Sequence, residues 1–171
     1  MNTVAAKTSF VSNLAQIAWV VKDLAVAQKF FKEAMGVDNF SKPDIIHLEE
    51  FESTYYGEPC DGESLVSTAY SGGTFIELIQ PLSGRSIFKD YLDKNPAGGV
   101  HHIAYSIPVA DLDKVIAEMA TKGLPIITSV DHPIANIVFF DTTKDLGVFT
   151  EVMGITEEGE KAVQKMKSEA M

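Results

Sequence analysis

Cysteine is nearly missing from this sequence: Cys60 is the single one among 171 residues. An intramolecular disulfide is excluded, as is a zinc site built from several thiolates, and a reducing cytoplasmic setting is expected. Long apolar runs are missing as well. No stretch approaches the roughly 18 residues needed to span a bilayer, so no membrane partner is expected. The opening residues, MNTVAAKTSFVSN, lack a basic segment followed by an apolar core, and no secretory leader is expected. Basic residues are scarce: 14 Lys and Arg against 24 Asp and Glu give a formal net charge of −10. That is the reverse of the basic footprint of a nucleic-acid binder. It leaves only local fields to attract a large polyanion.

What remains is 46% hydrophobic and 22% charged, enough for one compact domain or two small modules sharing a core. The chain repeats itself. Gln16-Ile17-Ala18 opens an apolar run followed by a helical pattern that stops at Gly36, and His102-Ile103-Ala104 opens another that stops at Gly123. Each half ends on an apolar strand with one acid, Glu77 in FIELI and Glu151 in FTEVM. The offsets are 86 from Gln16 to His102, 87 from Gly36 to Gly123 and 74 from Glu77 to Glu151. Polar residues repeated at matching places on apolar strands suggest one composite site built by both halves.

Local patterns fill in the units. Residues 14–21 read as a buried strand, and Asp23 as the cap of a helix carrying Leu24, Ala27, Phe30, Phe31, Ala34 and Met35. Residues 37–61 are expected to hold a strand and a lid-like loop, and the 12 extra residues of the first half belong there. A hairpin is expected around Ser71-Gly72-Gly73, a short helix capped by Ser86, and a linker at Asn95–Gly99. In the second half a strand at 100–107 precedes a helix capped by Asp111, then strands near 125–130, 134–141 and 147–153. The expected organisation is a first βαβββ module with linking helix over 13–98, a second module over 99–155, and a peripheral helix or tail over 156–171.

This order, with polar residues on the first and last strands, resembles the vicinal oxygen chelate (glyoxalase/bleomycin resistance/dioxygenase) superfamily. Within it, SIFKDYLDKNPAGGVHHIAYSI (86–107) and ELIQPL (77–82) are most similar to methylmalonyl-CoA epimerases. The resemblance implies an α+β fold of two βαβββ modules forming a half-barrel cleft, with a divalent metal held by Gln16, Glu77, His102 and Glu151. It implies an isomerase, epimerase or lyase acting on a small carbonyl or thioester substrate through an enolate. Glu151 would be ligand and base, with Asp61 or Glu63 as the second catalytic group. The expected partner is a small molecule, with a homodimer open as the assembly state. The alternative is a protein of the same fold that sequesters a small compound without chemistry.

The residues support this on their own terms. Two buried carboxylates need a cation or protonation, and a +2 ion offsets both. Three oxygens and one imidazole suit a hard or borderline ion such as Mn, Co, Mg, Ni or Zn. Gln16 stands where most of the family has His, and an amide oxygen is a poorer donor. His101, next to His102, is expected on the opposite strand face as a structural residue. His47 and His132 read as solvated surface histidines, and Tyr55-Tyr56 as either pocket wall or loop packing. The loops around His132 and Asp141 depart from the epimerases, which puts the CoA thioester in question.

Overall fold

The computed structural model describes residues 12–169; most of the segment read for a leader, and Ala170 and Met171 of the tail, lie outside them. The first strand, β1 (Asn13–Val20), leads to helix α1 (Leu24–Met35). Asp23 caps α1 by accepting from the Val26 amide at 3.0 Å, and Gly36 ends it at φ 70°, a left-handed turn that costs glycine little. The rest of the first half is β2 (Asp44–His47), a 3-10 turn at Leu48–Glu50, β3 (Glu52–Tyr55), β4 (Glu58–Pro59), β5 (Glu63–Ser71) and β6 (Thr74–Ser83). Helix α2 (Ile87–Lys94), capped by Ser86 accepting from the Lys89 amide, links it to the second half. There follow β7 (Gly99–Pro108), α3 (Leu112–Thr121), β8 (Ile126–His132), β9 (Ala135–Phe140), α4 (Thr143–Leu146), β10 (Phe149–Ile155) and α5 (Glu157–Glu169). Asp111 makes no capping bond; α3 grows out of a 3-10 turn at Val109–Asp111 instead. Among the described residues no helix is long and apolar enough to cross a membrane.

All ten strands form one curled sheet, ordered β2-β5-β6-β1-β7-β10-β9-β8-β3-β4. At its centre β1 and β7 run antiparallel, and each pairs in parallel with the last strand of its own half, β6 or β10. The register is a pseudo-twofold. Ala18 lies opposite Glu77 on β6 and His102 on β7, while Ala104 lies opposite Gln16 and Glu151. Directly opposed residues share a face, so the four polar side chains and the two alanines stand together on the concave side. The convex side takes α1 and α3, as where Trp19 meets Phe31 edge-on at 5.5 Å and where Leu112 and Val115 pack with Val138 and Val152.

The excursion after α1 does not stay in its own half. β2 pairs with β5 at one edge of the sheet, but β3 pairs with β8 at the other, and only residues 48–51 separate them. Those few residues reach less than about 18 Å, so the sheet curls until its two edges face each other. The expected lid-like loop is therefore a strap. Ser53 Oγ donates to the Leu48 and Cys60 carbonyls, and Arg85 lies over the Tyr55 ring while donating to the Tyr55 carbonyl. Tyr55 is buried and donates to Asp90, so it serves packing; Tyr56 is exposed. Leu48, Tyr55, Cys60, Ile87, Ile127, Val130 and Phe139 form a core at this seam, and α2 plugs one end of the concave space with Phe88, Tyr91 and Leu92.

Candidate active site

Gln16, Glu77, His102 and Glu151 converge at the centre of the concave face. His102 Nε2 lies 2.8 Å from Glu151 Oε2 and 3.5 Å from Glu77 Oε2. Gln16 Nε2 donates to Glu77 Oε2 at 2.9 Å and to Glu151 Oε2 at 3.4 Å, and is 3.3 Å from His102 Nε2. The His102 and Glu151 side chains are 1% and 4% exposed, and Glu77 is 18% exposed. Burial by itself would hold the His102 imidazole neutral, but Glu151 and then Glu77 overcome it and raise its pKa to about 9. Burial raises the Glu151 pKa, and the His102 charge opposes that rise. An ion pair this deep gains its attraction only against a desolvation cost of several kcal/mol per ion.

His101 is not on the opposite face. A bulge between Ala18 and Trp19 skips it in the register, so Ala18 faces His102 and Trp19 faces Val100. Both imidazoles then turn inward, with their Nδ1 atoms 2.8 Å apart and both rings against Phe88 and Phe139. Burial and the His102 charge push the His101 pKa well below its usual value, with the Ile87 backbone pulling weakly the other way. The short Nδ1–Nδ1 contact with His101 holds the ring of His102 in place.

The cluster sits in the wall of a cavity of about 1410 Å³. Small-molecule sites usually offer about 300–1,000 Å³. The walls are mainly apolar, with Val66, Phe75, Ile79, Phe88, Ile137 and Phe139 among them. Two assignments change here. His132 is no solvated histidine: it lines the cavity, meets Phe51 at a tilt with ring centroids 4.7 Å apart, and accepts from the Ile134 amide. Helix α5 is not peripheral, because one side of it forms part of the cavity wall. Neither was legible from a polar helix and a histidine beside a proline.

Asp61 and Glu63 do not reach this site. Asp61 accepts from the Arg85 amide, and Glu63 accepts from Ser83 Oγ at 2.6 Å and pairs with His47 at 3.1 Å. Those bonds hold both acids at the strap, and neither is among the residues lining the cavity. The Ser83 bond, and then His47, lower the Glu63 pKa.

The profile of the glyoxalase/bleomycin resistance protein/dioxygenase superfamily matches residues 15–140. The chain belongs to this superfamily. It is 30% identical over 97 residues to an ethylmalonyl-CoA/methylmalonyl-CoA epimerase of Cereibacter sphaeroides, covering 57% of this chain and 62% of that one. It is 29% identical over 118 residues to the mitochondrial methylmalonyl-CoA epimerase of Bos taurus, covering 67% and 57%. The chain thus spans about three fifths of the length of these curated relatives. Among solved structures, the methylmalonyl-CoA epimerase of Mycobacterium tuberculosis superposes with a TM-score of 0.65 at 19% identity, covering 91% of this chain and 95% of that one. A Streptomyces coelicolor methylmalonyl-CoA epimerase variant in complex with 2-nitronate-propionyl-CoA gives 0.58 at 23% identity, covering 84% and 94%. At such identities the structures establish the curled half-barrel fold.

Among the described residues, no group of three or more His, Cys, Asp or Glu stands in a ready coordination geometry. The four polar groups are hydrogen-bonded to one another instead. Of their separations, those between atoms able to ligate, 2.8 Å and 3.5 Å from His102 Nε2 to Glu151 Oε2 and Glu77 Oε2, bracket the spacing of neighbouring donors on one small divalent ion. Metal–ligand distances of 2.0–2.2 Å place such donors about 3.0–3.4 Å apart. Two carboxylates, an imidazole and an amide are donor types that a divalent ion takes.

Proposed function

We propose that the protein is a proton-transfer isomerase, an epimerase of a 2-substituted acyl thioester or a related carbonyl compound. The observation that supports this best is the pair Glu77 and Glu151. They come from equivalent strands of the two halves, and both reach Gln16 Nε2 and His102 Nε2 at the wall of one large, mostly apolar cavity. A substrate α-carbon held over the cluster would have one carboxylate from each half beside it. Inversion needs that: one group removes the proton from one face, and another returns it to the opposite face. Glu151 is the proposed first base, and Glu77 takes the second place that Asp61 and Glu63 cannot fill.

Gln16, Glu77, His102 and Glu151 would hold a divalent ion, of the Mn, Co, Mg, Ni or Zn group. Turning the Gln16 amide over would present its oxygen in place of its nitrogen. When bound, such an ion supplies Lewis-acid polarisation of the substrate carbonyl. His101 would keep the His102 ring oriented, and the apolar walls would exclude water from the reacting carbon. The cavity is roomier than a small keto acid requires, in keeping with a thioester, and the relatives' names point the same way. The lone, buried Cys60 thiol suits the cytoplasm.

The test is deuterium incorporation at C2 of methylmalonyl-CoA in heavy water by metal-supplemented protein. Incorporation is expected; its absence across acyl-CoAs and keto acids would overturn the reading. One observation favours sequestration instead: Gln16 donates to both carboxylates, so the cluster satisfies itself without an ion. Near-stoichiometric metal in carefully purified protein would count against that alternative.

A further inference from the structure

Helix α5 is anchored at one end and crosses the cavity mouth from one half of the protein to the other. At its start Thr156 Oγ1 accepts from the Gly159 amide and donates to the Pro133 carbonyl, while the Thr156 amide donates to the Ile134 carbonyl. Gly159 passes so close that a Cβ there would sit 2.0 Å from the Ile134 oxygen. Thirteen residues later, a helix spans about 20 Å. Near its far end, Lys167 Nζ lies over the Tyr70 ring, 5.6 Å from the centroid, on β5 of the other half. Tyr70 stands on the cross-strand row of Phe75 and Gln16. Two strand spacings, about 10 Å, separate that row's β5 position from Gln16.

The cavity face of α5 is polarised. Beside the apolar Val163 and Met166, Glu157 and Glu160 line the cavity toward the anchored end, Lys161 and Gln164 along the middle, and Lys167 at the far end. Among the described residues, Lys161 and Lys167 are the only Lys or Arg side chains in the lining, in a protein of net charge −10. Neither makes an ion pair among the described residues, whereas Lys165, on the outer side, pairs with Glu169 at 3.9 Å. Lys161, exposed at the rim, and the half-buried Lys167 border a mostly apolar cavity without a carboxylate partner, and both are available to a ligand.

We infer that α5 is a substrate-binding wall whose Lys161 and Lys167 receive an anionic group, carboxylate or phosphate, on a ligand that extends about 10 Å from the Glu77–Glu151 cluster. This rests on the cavity being the substrate site, and it names the class of substrate: a carbonyl compound carrying a remote anion. The anion would enter at the Tyr70 end, away from Glu157 and Glu160.

The test uses two fluorescent probes on metal-free protein: the anionic 8-anilinonaphthalene-1-sulfonate and the neutral Nile red. Lys161→Gln combined with Lys167→Gln should weaken the sulfonate roughly fivefold and leave Nile red unchanged, from two partly exposed charge contacts. Lys165→Gln should leave both unchanged. Displacement of the sulfonate by malonate identifies a carboxylate ligand, and displacement by inorganic phosphate a phosphoryl group; displacement by neither overturns the inference. An unchanged sulfonate affinity overturns it too, as does a parallel loss of both probes, which would make the helix an apolar cover. The readout needs neither metal nor turnover, so a failed deuterium assay and a failed probe assay have different meanings.

Discussion

Gln16 and His102 hold equivalent positions on β1 and β7, and their Nε2 atoms are 3.3 Å apart across the pseudo-twofold. One is a neutral amide where its counterpart is an imidazole. Replacing Gln16 by His should therefore give two imidazoles and two carboxylates, and tighten divalent metal binding by on the order of tenfold. Competition against a chromogenic chelator measures this. Equal affinity in the two proteins would show that position 16 is not a ligand.

The two carboxylates separate by substitution. Glu151→Gln keeps an oxygen near the cluster but cannot accept a proton, so deuterium incorporation should fall by about 100-fold or more, well beyond any loss of metal. Glu77→Gln should leave one-sided exchange: proton exchange from a single epimer, with little net inversion. If both variants lose exchange and inversion in equal measure, the division of labour between the faces is wrong.

Ala18 and Ala104 are fully buried directly beneath the cluster, each opposite two of its members. Ala18→Val adds two methyl groups beside Glu77 and His102. Overpacking of this kind costs about 1–3 kcal/mol. The expected outcome is a lower denaturation midpoint together with weakened metal binding, read by urea titration and chelator competition. Ala69, buried on the β5 strand, is the control: Ala69→Val should lower stability while sparing the metal.

Gly159→Ala sets two effects against each other. Alanine favours the helix by about 1 kcal/mol over glycine. Its methyl group, however, would meet the backbone oxygen of Ile134 at 2.0 Å, which no side-chain adjustment relieves. The collision should win and undock α5, so trypsin should cut after Lys161, Lys165 and Lys167 faster than in the parent protein. Equal cleavage rates would show that the helix start tolerates the methyl group.

The sequence carried the duplicated frame because the repeat places like residues at like offsets. Gln16 and His102, and Glu77 and Glu151, could be matched across the halves before any coordinates, and Asp23 and Gly36 mark α1 by local chemistry alone. The strap was hidden because the partner of β3 is β8: Thr54 faces Ser129, and no local pattern records so distant a pairing. His101 was misplaced because a one-residue bulge breaks the alternation on which strand-face arguments depend. Helix α5 looked solvated because Val163 and Met166 are the only large apolar residues on its cavity side, among Glu, Lys and Gln that ordinarily face water. The bonds of Asp61 and Glu63 to Arg85, Ser83 and His47 span 16 to 24 residues and leave no trace in sequence order.

The crossing of residues 48–51 has a consequence for the independence of the two modules. Cut at Asn95–Gly99, the first polypeptide would carry the short β3–β4 pair without the β8 strand it borders, and the second would present β8 as a bare border. Bare strand borders recruit other chains. Each piece alone would self-associate, while the two mixed would dock through the clasp and rebuild the parent. A repeat that looks like two interchangeable copies has in this way become a lock and its bolt, and neither copy is still a protein by itself.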